Sequence, residues 1–133
     1  MLQYPAAALC TELAKRVGEI SGAGSIVANG TFTSGGLDHP QGIAIDGAGN
    51  VWVANFRSAT ITELAGATAP TPGAALSPST GLGADAALLE AYAIAIDPSG
   101  NLWITNFGSN TLTQFIGAAA PVKTPLIGLP TTP

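Results

Sequence analysis

GIAIDGAGNVWVANFRSATITEL, residues 42 to 64, returns without a gap as AIAIDPSGNLWITNFGSNTLTQF, residues 93 to 115. Asp46 maps onto Asp97, Trp52 onto Trp103, Asn55 onto Asn106 and Phe56 onto Phe107, each 51 positions on. From Ile43 to Pro70, 16 of 28 positions are identical at that offset, too many for chance. A fixed internal period near 50 marks a repeat architecture, in which each unit buries its apolar face against its neighbours.

Within each copy the pattern is that of short strands and tight turns. Ile43-Ala44-Ile45 and Val51-Trp52-Val53-Ala54 are apolar on both faces, as strands sandwiched between neighbouring sheets must be. Between them, Asp46-Gly47-Ala48-Gly49 has aspartate at the first position and glycine at the fourth, the composition of a type I turn. The second copy, Asp97-Pro98-Ser99-Gly100, adds proline where its fixed φ is favoured. Thr60 to Leu64 reads as a third strand, β-branched and half polar, and is expected to be more exposed. Fourth strands are expected around Ala74 to Ser77 and, by the same offset, near Leu126-Ile127-Gly128, where Pro125 and Pro130 flank the segment closely.

Upstream of the repeat, Ser25 to Gly36 reads as one short strand followed by a loop. Residues 6 to 20, AAALCTELAKRVGEI, carry Leu9, Leu13, Val17 and Ile20 at helical spacing behind Tyr4-Pro5, which predicts a short N-terminal helix. The expected organisation is therefore an N-terminal helix and linker over 1–24. An all-β region of two antiparallel units follows over 25–133, with repeat cores 37–77 and 88–128.

Composition narrows the function classes. Of 133 residues 47% are apolar and only 9% charged, against about a quarter charged in ordinary domains. Glycine (17) and proline (10) fit many short strands and loops. Four basic residues, Lys15, Arg16, Arg57 and Lys123, within a net charge of −4 argue against nucleic acid, whose phosphates demand clustered Lys and Arg. No run reaches the roughly 18 apolar residues of a membrane span. The N-terminus also lacks a positive segment followed by an apolar one, so no signal peptide is read. One cysteine, Cys10, excludes an internal disulfide and a cysteine-based zinc site.

Pro40-Gln41-Gly42-Ile43-Ala44-Ile45-Asp46 followed by Gly49-Asn50-Val51-Trp52-Val53-Ala54-Asn55 resembles the NHL repeat. It is similar also to the repeats of streptogramin (virginiamycin B) lyase-like and gluconolactonase-like propellers. The resemblance covers residues 37 to about 121 and departs in the second copy at Ala91-Tyr92-Ala93, which replaces Pro40-Gln41-Gly42. WD40 and kelch patterns do not fit, because there is no Gly-His or Trp-Asp pair and Gly35-Gly36 becomes Ala86-Ala87. The resemblance implies β-propeller blades, commonly about six to a ring. Two blades would then be a fragment or a truncated relative, completed by missing blades or by self-association.

Candidate chemical groups are weighed against structural roles. Trp52 and Trp103, mid-strand among β-branched residues, read as core rather than as ligand platforms. Asn55-Phe56 and Asn106-Phe107 read as turn fasteners, because repetition suits structure better than a unique site. Asp46 and Asp97 with Asn50 and Asn101 lack the alternating ligands and terminal glutamate of a calcium loop, so turn stabilisation is the expected role. His39 is the single histidine and maps onto Glu90. The resemblance to streptogramin lyase-like propellers implies a histidine base beside a glutamate-held magnesium, but one histidine outside a matching His-Glu motif does not carry it. His39 reads as a solvated loop residue and Cys10 as a small buried hydrophobe. No residue is assigned a catalytic, metal or cofactor-binding role, and no cofactor is expected. The leading expectation is a non-catalytic binding or scaffold module of an extracytoplasmic bacterial protein, with an unknown protein or carbohydrate as ligand. The rivals are a metal-dependent propeller lyase or lactonase, and a gene fragment without independent function.

Overall fold

In the computed structural model the described residues are 8–12, 16–20 and 26–122. They form nine strands in three antiparallel sheets, each a simple meander. The first sheet comprises β1 (Ala8–Glu12), β2 (Arg16–Ile20) and β3 (Ile26–Phe32). The middle sheet is β4 (Pro40–Ile45), β5 (Val51–Asn55) and β6 (Thr60–Leu64). The last is β7 (Ala91–Ile96), β8 (Leu102–Asn106) and β9 (Thr111–Phe115). The two repeat copies are thus two equivalent blades, with β4 lying against β7.

Alternation along the strands gives each blade two working faces. In the middle blade Val53, with Ile43 and Val51 beside it, meets Val17 of β2 and Leu37. On the other face Trp52, Ala54 and Ile61 pack against Leu88, Ala91, Ile94, Leu102 and Ile104 of the last blade. Ile61, Leu64, Leu102 and Ile104 are fully buried, each contributing about 1.5–3 kcal/mol of apolar burial.

Three sequence expectations are corrected. The helix over residues 6–20 is replaced, among the described residues, by β1 and β2, and Val17 shows why. It closes the face of the middle blade, a broad pleated surface that a sheet covers more completely than one helix, so tertiary packing overrides helical spacing. β3 agrees with the expected strand after Ser25. The third strand of the repeat is not uniformly exposed: β6 is almost wholly buried while β9 is open along most of its length.

The expected fourth strand at Ala74–Ser77 is reduced to isolated bridges, Leu64 with Ala75 and Ile61 with Leu82. Pro70, Pro72 and Pro78, which lack N–H donors, leave that edge without a continuous ladder. Its counterpart near Leu126-Ile127-Gly128 lies outside the described residues, as does Tyr4-Pro5. Cys10 falls within β1.

Candidate functional site

Three polar fasteners recur in both blades. At the hairpin between the first two strands, the Gly49 N–H donates to the Asp46 carbonyl and the Gly100 N–H to that of Asp97, both at 3.0 Å. Asp46 Oδ1 accepts the N–H groups of Ala48 and Asn50, each at 2.9 Å. Asp97 Oδ1 accepts those of Ser99 and Asn101 at 2.9 and 3.0 Å. Gly49 and Gly100 have φ of +88° and +83°, the left-handed region that glycine enters without steric penalty.

The second carboxylate oxygen does something the turn composition alone does not reveal. Asp46 Oδ2 accepts the Trp52 indole N–H, and Asp97 Oδ2 that of Trp103, both at 3.1 Å. The indole can therefore lie between blades without an orphaned donor. The signal was present in the sequence: an aspartate and a tryptophan six apart, across one hairpin, in both copies. The bonds from Asn101 and Trp103 hold the Asp97 carboxyl at a pKa of about 2. Burial pushes the Glu63 carboxyl upward, aided by the nearby Asp46 charge and opposed by a hydrogen bond from Asn50.

The third fastener lies at the opposite end of the strands. Asn55 Nδ2 donates to Thr60 and Thr62 hydroxyls at 3.3 and 3.0 Å, and its Oδ1 accepts the Asp38 N–H at 3.2 Å. Asn106 makes the matching bonds to Thr111, Thr113 and Leu89. The asparagines thus tie the turn, the third strand and the incoming loop together.

His39 and Glu90 occupy one structural place in the two copies. Both have φ of +52°, and their carbonyls accept the Phe56 and Phe107 amides at 3.0 and 3.1 Å. His39 Nδ1 sits 3.2 Å from Asp38 Oδ1. No group of three or more His, Cys, Asp or Glu capable of holding a metal ion occurs among the described residues.

At this same end Phe56, Tyr92 and Phe107 gather into one cluster, with centroids 6.1–6.5 Å apart. The Phe56–Tyr92 contact is edge-on, and Phe107 and Tyr92 are 67% and 51% exposed. Sequence reasoning placed both phenylalanines at strand ends and noted Tyr92 only as a departure from the repeat. It missed their convergence, which depends on how one blade sits on the next.

No family model matches the chain, and no curated protein matches it. Among solved structures it is similar to a catalytically inactive virginiamycin B lyase from Staphylococcus aureus with quinupristin, at a TM-score of 0.59 and 19% identity. The match covers 90% of this chain and 39% of the lyase chain. The fold is a β-propeller of antiparallel blades. At this identity the likeness carries the architecture alone, and the chain spans well under half of the lyase's length. No helix among the described residues is long and apolar enough to cross a membrane.

Proposed function

We propose that this chain is a non-catalytic binding or scaffolding module, a run of NHL-like propeller blades within an extracytoplasmic protein. Its partners in this reading are further blades of the same kind and a protein or carbohydrate ligand. One observation carries it. Asp46 and Asp97, and likewise Asn55 and Asn106, are engaged in the same fastening bonds in both blades, whereas Phe56, Tyr92 and Phe107 stand clustered and partly open to solvent. Exposed aromatic faces supply contact area at low conformational cost, to a protein surface or to the C–H face of a sugar.

The test is binding on a glycan array and on immobilised extracellular proteins, followed by titration calorimetry with the strongest hit. The double variant Tyr92→Ala/Phe107→Ala is expected to weaken binding at least about ten-fold, the loss of a contact hot spot. His39→Ala should leave it unchanged. The likeness to a lyase defines the opposing result: magnesium-dependent turnover of quinupristin or of a lactone, abolished by His39→Ala, would replace the binding reading with the enzymatic one.

A further inference from the structure

The two blades share a sequence pattern but not a covering. In the middle blade, Ala44, Trp52, Ala54 and Ile61 form the face that the last blade covers, and Ile61 is 1% exposed. The 51-residue offset places Ala95, Trp103, Thr105 and Leu112 on the matching face of the last blade. The register agrees: Ala95 pairs with Trp103, and Thr105 with Leu112. Here Ala95 and Thr105 are exposed, Trp103 is half-buried, and Leu112 is 58% exposed.

The fastening bonds differ in the same sense. Asp46 Oδ2 accepts, besides the Trp52 indole, the Ala120 N–H from the segment that follows the next blade's strands, at 3.2 Å. On Asp97 the corresponding acceptor turns to its own Asn101 side chain, at 2.8 Å. Phe56 meets Tyr92 and Phe107 of the next blade and is half-buried, whereas Phe107 is 67% exposed. The middle blade therefore displays what this face accepts: another antiparallel sheet laid flat upon it.

We propose that the open face of the last blade is covered by the first sheet of a second copy of this chain, head to tail. The first sheet has a face to offer. Val17 points into the middle blade, so Gly18 and its cross-strand partner Thr31 lie on the opposite side, where Thr31 is exposed. The described residues of two chains bring twice three sheets, six together, within the four to eight blades with which propellers close. A head-to-tail contact that closes on itself makes a finite ring and leaves neither blade face bare. This inference rests on the propeller fold and not on the ligand.

Sedimentation velocity of the full chain at micromolar concentration is the test. The expected species has about twice the 13.1 kDa chain mass. Leu112→Glu and Thr31→Glu should each weaken dimerisation about ten-fold or more by burying a charge, with the far-ultraviolet spectrum retained. Mixing the two variants should restore a dimer, because one of the two interfaces then joins an unaltered blade to an unaltered first sheet. A monomeric wild-type chain overturns the proposal. So does a Thr31→Glu variant that dimerises like wild type, which would mean that two last blades pair face to face. Should Leu112→Glu fail to fold, Ala95→Glu replaces it in the same mixing experiment.

Discussion

The middle and last blades are near copies in sequence, yet the middle one is a core and the last one is half a surface. Ile61 and Leu112 hold equivalent places, 1% and 58% exposed. Ala54 is fully buried, while its counterpart Thr105 uses its hydroxyl to accept the Ala93 N–H at 3.0 Å, beside a register shift in β7. Burial in a repeat protein is thus a property of position in the stack, which a residue's own strand does not determine.

The largest expected break in the comparison is Ile61→Ala against Leu112→Ala. The first empties a filled inter-blade site and should cost about 2–5 kcal/mol in urea unfolding. The second, measured dilute enough to keep the chain monomeric, should stay within about 0.5 kcal/mol. Equal losses would show that the two faces are packed alike.

The turn glycines come next. Gly49→Val forces a β-branched residue to positive φ with open space around its Cβ, for about 1–2 kcal/mol. Gly100→Val suffers the same strain and also meets the Ala119 carbonyl, so its melting temperature should fall further. A melting curve unchanged by Gly100→Val would remove the turn argument for both blades.

Aspartate titration sharpens the contrast at acid pH. The Asp97 carboxyl has a folded pKa of about 2 against 3.8 ordinarily. Its stabilising contribution is therefore complete above about 3.8 and is lost as pH falls through about 2. Asp97→Asn should flatten the fall in urea midpoint over that interval and leave the curve above pH 5 parallel to wild type.

The smallest effect concerns Glu63, whose counterpart in the last blade is Gln114. Its raised pKa means that the ionised carboxylate is disfavoured in the folded blade, so this group adds stability as pH falls through the folded value. Glu63→Gln should raise the melting temperature at pH 7 by about 1 °C, and the gain should vanish on acidification.

The offset of 51 made the hairpins, both glycine turns and the Trp52 core position legible, because these are local and occur twice. What was not legible depends on neighbours. Leu9, Leu13, Val17 and Ile20 satisfy a helical period, yet β2 is a strand because Val17 must lie flat on Val53 and Leu37. Thr60 to Leu64 looked half exposed because its alternation carries threonines, but Thr62 is buried, donating to the Gly35 carbonyl at 2.7 Å while accepting from Asn55. Of the candidate site, His39 and Glu90 were paired by the offset, whereas the aromatic cluster required knowing how adjacent blades are placed.

The bond from Ala120 to Asp46 joins residues 74 positions apart, whereas the bonds within each blade close over far shorter loops. Loop closure of that length raises contact order and places the contact late in folding. During synthesis the middle hairpin can form and bond Asp46 to Trp52 well before residue 120 is made. Until then the second N–H partner of Asp46 Oδ2 must be water, and the Trp52–Ile61 face stands open. The growing chain therefore passes through a stage in which its middle blade resembles its finished last one, with the same bare apolar face exposed to aggregation.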